Sequence, residues 1–185
     1  MIAVFMANGC EEIEALTVVD LCRRAQLTTQ MISISNQQAI TGVHDIVFLA
    51  DCLIEEVDFE QIEMIVLPGG KKGAQLLQEN ELLKQWILAF HDKEKPLAAI
   101  CAAPGILGQL GILNGKRACS HPTFEDALKG AEISKQEVVC DGNIITSRGM
   151  GTAIPFGLAI VEYFTDSETA QKLAQSIVYN DDRLL

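Results

Sequence analysis

The chain has 185 residues, of which 49% are hydrophobic and 21% are charged, a composition typical of a single globular domain over residues 1–185. Its formal net charge of −11 at pH 7 argues against nucleic acid as a partner, because binding to a phosphate backbone depends on Lys and Arg. No stretch approaches the roughly 20 apolar residues that span a membrane, and the N-terminal segment lacks the basic and long apolar regions of a secretory signal. We therefore expect a cytoplasmic protein with no membrane partner.

The six cysteines occur singly and without a Cys-x-x-Cys pair, which predicts free thiols in a reducing compartment. Most of them are expected to be small buried hydrophobic residues. The three histidines, His44, His91 and His121, show no ligand spacing with one another or with the cysteines. The sequence therefore predicts no metal site.

The first half of the chain consists of short apolar runs and one clear helical pattern. Within that helix, Ile13, Leu16, Val19 and Cys22 fall near one face and are expected to be its buried side. Residues 50–61 are rich in acidic residues and predict an irregular link. The predicted elements are strands at 2–6, 30–35, 45–50 and 64–70, the last running into a turn, and a helix at 12–25.

The second half continues the alternation of strands and helices. Ser167 is expected to cap the last helix. The predicted elements are helices at 81–93, 102–113, 124–130, 151–164 and 167–178, strands at 96–101 and 116–119, and a hairpin at 137–147. Strands that alternate with helices predict an α/β fold of the flavodoxin kind, with a doubly wound, mainly parallel sheet and helices on both faces.

Three segments leave strands at the carboxyl edge of the predicted sheet, where open α/β sheets place their sites. They are residues 7–14 (ANGCEEIE), 68–70 (PGG) and 101–104 (CAAP). Because the architecture brings these separated segments together, the sequence predicts a functional site where they meet.

The cysteine at position 101 ends an apolar run and begins a helical segment, as in a nucleophile elbow. Ala99 and Ala103, two positions to each side, are small enough for that strained turn. At the start of a helix, free N–H groups and the helix dipole would stabilise a thiolate on Cys101. The same pattern also fits a buried structural thiol, so both alternatives stay open at this point.

Other residues near the predicted edge could assist such a thiol. Gly69 and Gly70 permit N–H groups to point into a cleft, as an oxyanion hole requires, although a plain tight turn is the simpler explanation. The N–H of Ala102 would be the second donor. His121 reaches the same edge, either as an ordinary loop residue or as a base for the thiol. Residues 147–152 (SRGMGT) lack the third glycine of a dinucleotide site and predict only a loop that borders the cleft.

Three glutamates lie at the start of the first helix. Glu11 and Glu12 are explained as solvated charges that the helix dipole favours. Glu14 could face inward, where burial would raise its pKa and let it carry a proton, but spacing alone favours a solvent-facing side chain.

Four motifs occur in register along the chain, and together they resemble the ThiJ/PfpI superfamily, specifically the branch of the parkinsonism-associated protein deglycase (DJ-one) and its bacterial relatives. The motifs are GCEEIEALTVVDLCRRA, VLPGG, AAICAAPGIL and TSRGMGT, and they run from the first strand to the region of the last helices. The resemblance implies a flavodoxin-like sandwich that forms a homodimer and needs neither a cofactor nor a metal.

The resemblance also implies roles for particular residues. Cys101 would be the reactive elbow cysteine, and Glu14 would be the buried carboxylic acid that is hydrogen-bonded to its sulfur, which reverses the interpretation from spacing. Gly70 and Ala102 would supply the oxyanion N–H groups. His121 matches a nearby histidine whose catalytic role varies among members.

The activity that the resemblance implies is a glyoxalase or deglycase reaction without glutathione. The thiolate adds to the aldehyde of methylglyoxal or glyoxal, and the hemithioacetal rearranges while a carboxyl group shuttles the proton, so that a hydroxy acid is released. Early adducts on protein or nucleotides are also substrates of this kind of site. The alternative is a redox-sensing stress protein or chaperone, in which Cys101 oxidises to a sulfinate that Glu14 stabilises.

The chain departs from related branches at a few positions. Ala102 stands where the protease-like branch has a histidine, and Thr123 follows His121-Pro122 where amidotransferases have a late His-Pro-Glu segment. Neither of those activities is therefore expected. Met150 stands where relatives often have proline, so Met150 and Gly69 are expected to shape the pocket.

Overall fold

A seven-stranded sheet forms the centre of the protein in the computed structural model, which describes residues 1–179. In chain order the strands are β1 (Ile2–Met6), β2 (Thr29–Ser33), β3 (Ala39–Thr41), β4 (Val47–Leu49), β5 (Cys52–Leu53), β6 (Met64–Leu67), β7 (Leu97–Ile100), β8 (Arg117–Ala118), β9 (Glu132–Ile133), β10 (Val138–Asp141) and β11 (Ile144–Ser147). The order across the sheet is β10-β11-β7-β6-β1-β2-β5. All neighbours are parallel except β10 and β11.

Helices cover both faces of this sheet. They are α1 (Glu12–Arg24), α2 (Lys71–Glu79), α3 (Glu81–Asp92), α4 (Pro104–Gln109), α5 (Ala153–Phe164) and α6 (Ser167–Ser176). Buried side chains of α2, α3 and α4 share one core with the sheet, and those of α1, α5 and α6 share the other. The predicted doubly wound, flavodoxin-like α/β fold is therefore confirmed. None of the helices in residues 1–179 has the length and apolar character needed to cross a membrane.

The central strands are buried on both faces, which explains their continuous apolar sequence. Along β1, Ala3 and Phe5 belong to the core beneath α2, α3 and α4, whereas Val4 and Met6 belong to the opposite core. All four side chains are completely buried. Because β1, β6, β7 and β11 run in the same direction, their carboxyl ends lie at one edge of the sheet, and the candidate site lies there.

The buried face of α1 differs from the predicted one in the first turn, whereas Val19 and Cys22 are buried as predicted. Ile13 is 48% exposed, whereas Glu14 is 1% exposed and lies on the same face as Val18 and Leu21. The helix packs against α5, where Gly157 leaves room for Leu21: a Cβ at Gly157 would lie 2.6 Å from Leu21 Cδ1. This close approach turns Glu14 inward and Ile13 outward, so the predicted position of Ile13 was wrong.

Most elements predicted from periodicity are confirmed to within a few residues, including the strands of the central sheet and the C-terminal hairpin at 137–147. The strand predicted at 45–50 is β4, but it pairs with β3 in a separate hairpin. The acidic link at 50–61 contains two 3-10 turns and β5, which joins the edge of the sheet. Residues 71–79, for which no element was predicted, form α2.

Three elements after residue 100 are corrected. The helix predicted at 102–113 is limited to α4, because the following turns include Gly111 in a left-handed conformation with φ 76°. The strand predicted at 116–119 is β8, which pairs with β9 outside the main sheet. The helix predicted at 124–130 is a 3-10 turn at Pro122–Ala127.

The cap of α6 is Asp166 and not Ser167. The Asp166 carboxylate accepts the N–H of Thr169 at 2.7 Å, and Ser167 is already the first helical residue. The helix ends at Ser176, two residues before the predicted end. The expectation of one domain over 1–185 stays a prediction, since it extends beyond the described residues.

Candidate active site

Cys101 lies on a strand-to-helix turn at the end of β7. Its N–H still donates to the carbonyl of Ser147 in β11 at 3.0 Å, as if the strand continued for one more residue. Its φ is +65°, a left-handed conformation that is rare and strained for a residue other than glycine. Ala99 and Ala103 are completely buried on either side, which leaves no space for larger residues. This is the geometry of a nucleophile elbow.

Two backbone N–H groups, those of Gly70 and Ala102, face the Cys101 sulfur and act to lower the pKa of its thiol. Gly70 precedes α2 and has φ +84°. A Cβ at this position would lie 2.4 Å from the carbonyl oxygen of Gly9 and 2.7 Å from the Glu11 nitrogen, so only glycine fits. The N–H groups named from sequence as oxyanion donors therefore both point at the sulfur.

Glu14 lies in the first turn of α1 and is buried beside Cys101. Its Oε2 accepts the N–H of Gly69 at 2.8 Å, and its Oε1 is buried without a hydrogen-bond partner. Gly69 keeps this arrangement close: a Cβ there would lie 2.5 Å from both Cys101 Cβ and Glu14 Oε2. The carboxyl group of Glu14 thus has one oxygen held in place and the other available.

The thiol and the carboxyl group influence each other's ionisation. Burial raises the pKa of Glu14 to about 7. Burial, together with the neighbouring Glu14 carboxylate, raises the pKa of the Cys101 thiol to about 12, while the N–H groups of Gly70 and Ala102 act in the opposite direction. Two negative charges are therefore disfavoured here at neutral pH, and the pair holds one proton between its two side chains.

His121 lies on the wall of the same cleft. Its backbone N–H donates to the carbonyl of Cys101 at 3.0 Å, which ties the following loop to the elbow. Its ring Nδ1 accepts the N–H of Thr123 at 3.3 Å and lies 2.9 Å from the Thr123 hydroxyl. When the ring accepts at Nδ1 in its neutral form, its proton lies on Nε2, which can then donate to a ligand.

The cleft has a volume of about 490 Å³. Met150 lies at its rim with 56% of its surface exposed. Arg148 also borders the cleft; its Nε is buried without a partner and its guanidinium lies 3.6 Å from Glu125. Sequence reasoning placed the loop at 147–152 beside the cleft but did not single out Arg148. Its position could have identified Arg148 as a cleft residue, because it is a cation at the end of β11.

Glu12 is not the solvated charge that was predicted. Its side chain is only 2% exposed because the loop between β3 and β4 covers it. Its Oε1 accepts the backbone N–H of His44 at 2.8 Å, and its Oε2 lies 3.1 Å from His44 Nδ1. The interpretation of Glu12 as solvent-facing was therefore wrong, and the contact with His44 was not foreseen.

A mainly parallel α/β sheet that presents a cysteine on a strained turn, beside a buried carboxyl group and two backbone N–H groups, defines a flavodoxin-like protein with a candidate site at that cysteine. A sequence model described as the DJ-1/PfpI family matches residues 1–163. The chain belongs to this family, as the four motifs had indicated.

Several known proteins are similar to the chain. Protein DJ-1 homolog A from Arabidopsis thaliana is 38% identical over 176 residues, which are 95% of this chain and 45% of that protein, so the chain spans less than half the length of this relative. Deglycase TK1284 from Thermococcus kodakarensis is 31% identical over 152 residues, 81% of this chain and 90% of the relative. The solved structure of Toxoplasma gondii DJ-1 in an oxidised form is 30% identical, with a TM-score of 0.93 over 97% of this chain and 98% of that one.

Proposed function

We propose that the protein is a cysteine-dependent, glutathione-independent glyoxalase or deglycase, which acts on methylglyoxal, glyoxal or their early adducts through a hemithioacetal on Cys101. The observation that carries this proposal is the environment of Glu14. Its carboxyl group is buried beside the sulfur, with Oε2 held by Gly69 and Oε1 free to exchange a proton with a bound substrate. The relative named a deglycase supports the same assignment.

In the proposed reactive form, the shared proton lies on Glu14 and the negative charge lies on the sulfur. The backbone N–H groups of Gly70 and Ala102 both favour the charged sulfur, whereas the carboxyl group accepts the N–H of Gly69. Hydrogen bonds to an ion are stronger than those to a neutral group. In this proposal the donors at the sulfur outweigh burial and the neighbouring carboxylate, which by themselves raise the pKa of the thiol above that of Glu14.

The first proposed step is addition of the Cys101 thiolate to the aldehyde carbon of the substrate. A carbon–sulfur bond forms, the carbonyl electron pair moves to oxygen, and Glu14 supplies the proton that completes the hemithioacetal. In this proposal the N–H groups that face the sulfur, and the Nε2–H of His121 on the cleft wall, would donate to the developing oxyanion.

The second proposed step is an internal proton transfer. Glu14, now a carboxylate, removes the proton from the former aldehyde carbon and returns it to the neighbouring carbon, while the hydroxyl proton of the hemithioacetal moves to the neighbouring carbonyl oxygen. The ketone thereby becomes an alcohol and the hemithioacetal carbon becomes the carbonyl of a 2-hydroxy acid thioester. Water then cleaves the carbon–sulfur bond, and the thiol is restored. The sum adds one water to the dicarbonyl compound, so no external oxidant or reductant is consumed.

Two substitutions test this proposal. We expect Cys101→Ala and Glu14→Gln each to lower methylglyoxal consumption, followed together with 2-hydroxy acid formation, by at least about 100-fold. Cys140→Ala serves as the control, because Cys140 is exposed on β10 away from the cleft. Turnover close to that of the wild type in either cleft variant would contradict the proposal.

A second candidate function is redox sensing at the same cysteine, favoured by the relative solved in an oxidised form. In this alternative each of two peroxide molecules transfers one oxygen atom to the sulfur and leaves as water, and a sulfinate results. The neutral carboxyl group of Glu14 would donate to a sulfinate oxygen. The two functions require the same charged sulfur and differ in the electrophile that the sulfur attacks, an aldehyde carbon or a peroxide oxygen.

Homodimer formation and a cytoplasmic location are further parts of the proposal. A second copy would cover a set of exposed apolar side chains on α1 and on the adjoining β3–β4 hairpin: Ile13, Val43, Ile46, Val47 and Leu49. All six cysteines are free, which supports a reducing compartment. Light scattering after size exclusion, with Leu49→Glu as the disrupting variant, tests the dimer; an unchanged mass for that variant would count against this surface.

A further inference from the structure

Two carboxylates and an imidazole meet outside the cysteine cleft, where the β3–β4 loop crosses the start of α1. His44 Nδ1 lies 3.1 Å from Glu12 Oε2 and 3.9 Å from Glu11 Oε1. One potential ligand atom from each of the three residues lies within 4.8 Å of the others. Imidazole nitrogen and carboxylate oxygen are ligands that zinc and related transition metals accept.

The loop that carries His44 is fixed at this position by backbone contacts. The N–H of Val43 donates to the carbonyl of Cys10 at 3.0 Å, and the N–H of His44 donates to Glu12 Oε1 at 2.8 Å. Gly42 allows the loop to pass over the carboxylate, since a Cβ there would lie 2.1 Å from Glu12 Oε1. The three side chains are therefore brought together by the fold and not by a chance surface contact.

The charges of this cluster are not balanced by a permanent cation. Among the described residues, Glu12 forms its ion pairs only with His44, and Glu11 also pairs only with His44. Asp45, the residue after His44, adds a third carboxylate to the neighbourhood. A covered carboxylate whose only partner is a titratable ring lacks a counter-charge whenever that ring is neutral.

We propose that Glu11, Glu12 and His44 form a binding site for a divalent transition-metal ion of the zinc class. Adjacent ligands of a tetrahedral zinc ion lie about 3.3 Å apart, which matches the 3.1 Å between His44 Nδ1 and Glu12 Oε2, whereas Glu11 Oε1, at 3.9 Å from Nδ1, would have to move closer when the ion binds. The ion replaces the proton of Nδ1. In the single chain, 67% of the His44 side chain is accessible, which leaves the fourth coordination position open to water.

This site shares one residue with the cysteine cleft, because Glu11 also lines that cleft. The metal site is nevertheless separate from the proposed reaction, in which no metal takes part. Loss of metal binding and loss of turnover can therefore be distinguished by measuring them on the same variants.

The test is a titration of the metal-free, full-length protein with Co²⁺, followed by visible absorption, and with Zn²⁺, followed by calorimetry. We expect one equivalent to bind with the weak visible bands of nitrogen and oxygen ligands and without the near-ultraviolet band of a thiolate ligand. His44→Ala should weaken binding by more than about 100-fold, since changes to residues that only support ligands already cost about 10- to 100-fold. His91→Ala, which removes a histidine at the end of α3, should bind like the wild type.

Because Glu12 is covered, its replacement could disturb the fold, and Glu11→Gln provides a second variant that should also weaken binding. Circular dichroism confirms that each variant is folded. Absence of binding by the wild type, a thiolate band in the Co²⁺ spectrum, or unchanged affinity in folded His44→Ala would each overturn the proposal.

Discussion

The Glu14 carboxyl group accepts the backbone N–H of Gly69 at 2.8 Å through one oxygen, while its other oxygen is buried without a partner. A buried oxygen that lacks a partner is unfavourable for folding and is therefore informative about function. It lies beside the strained residue Cys101, and a residue larger than glycine at position 69 would collide with both side chains. The pair of Glu14 and Cys101 is the feature on which the proposed chemistry depends.

The first prediction concerns the pH dependence of Cys101 alkylation. If the sulfur is the group that loses the first proton of the pair, the alkylation rate rises with pH and has its midpoint near pH 7, where the pair begins to ionise. In Glu14→Gln a weaker amide donor replaces the carboxylic acid, so the midpoint should rise by roughly one pH unit. Mass spectrometry of iodoacetamide-treated protein measures both profiles.

The direction of that shift separates the two possible locations of the proton. If the sulfur kept the proton beside a charged Glu14, the wild-type midpoint would lie near 12, and removal of the carboxylate would lower it. A lower midpoint in Glu14→Gln would therefore contradict the thiolate assignment. The alkylation of exposed Cys140 in the same samples is the internal control and should not change.

The second prediction is that Glu14→Gln stabilises the folded protein at neutral pH. The pKa of Glu14 is raised from 4.5 to about 7 by burial, so the folded state binds this proton more tightly than the unfolded state. The contribution of this tighter proton binding to the free energy of unfolding is fully present below pH 4.5 and is lost as the pH rises through about 7. This shift is equivalent to about 3 kcal/mol, which is the upper limit of the gain expected in the variant above pH 7.

Urea unfolding between pH 4.5 and pH 8 measures this difference. The free energy of unfolding of Glu14→Gln, relative to the wild type, should increase over that interval and then level off. Glu168→Gln is a matched control at an exposed position of α6, where the difference should stay near zero. A difference for Glu14→Gln that does not depend on pH would exclude ionisation of the buried pair as its cause.

The third prediction concerns Gly70, whose N–H reaches the sulfur. In Gly70→Ala the new Cβ would meet the backbone of Gly9 and Glu11 in a left-handed conformation that alanine adopts with strain. We expect a loss of about 1–3 kcal/mol in stability from the strain alone and a decrease of about 100-fold in turnover as the donor moves. Thermal unfolding and the methylglyoxal assay measure the two effects.

Gly151→Ala is the control for the stability part of this experiment. Nothing lies within 4 Å of a Cβ at Gly151, and its φ is not in the left-handed region, so its unfolding should be close to that of the wild type. Equal stability of the two alanine variants would show that position 70 does not require glycine.

The parts of the fold that sequence could predict are those where periodicity and burial agree. The apolar runs of β1, β6 and β7 predict buried parallel strands, and all three are central strands of the sheet. The helix α2 was missed because it is short and polar and contains Gly73, which weakens a helical pattern. That glycine is required by a tertiary contact, since a Cβ there would lie 2.6 Å from the Cys10 nitrogen.

The burial of Glu14 shows why the site was harder to derive from spacing than the fold. Spacing along α1 favoured Ile13 as a core residue and left Glu14 in solvent, and the resemblance to a family was needed to reverse that interpretation. Burying a carboxyl group is unfavourable by itself. The buried carboxyl group is stabilised only by tertiary neighbours, here the N–H of Gly69 and the sulfur of Cys101. A local sequence pattern does not indicate such neighbours.

The cluster at His44 was missed for a related reason. Metal ligands are recognised in a sequence by their spacing along the chain, and His44 is far from Glu11 and Glu12 in that respect. The β3–β4 hairpin brings His44 back to the start of α1 through hydrogen bonds of the loop backbone. Such contacts depend on where a hairpin packs, which the sequence pattern did not predict.

The last prediction separates the redox alternative from general oxidation of thiols. Under mild peroxide treatment, Cys101 should gain two oxygen atoms before the more exposed Cys140 reacts, because reaction with peroxide requires the thiolate, which the backbone N–H groups of Gly70 and Ala102 help to stabilise at Cys101. Peptide mass spectrometry measures oxidation at each cysteine. Protein unfolded in urea is the control, since all six thiols should then react at similar rates. Equal oxidation of Cys101 and Cys140 in the folded protein would mean that the cleft does not activate the sulfur, and it would count against the glyoxalase proposal as well, because both functions begin with the same thiolate.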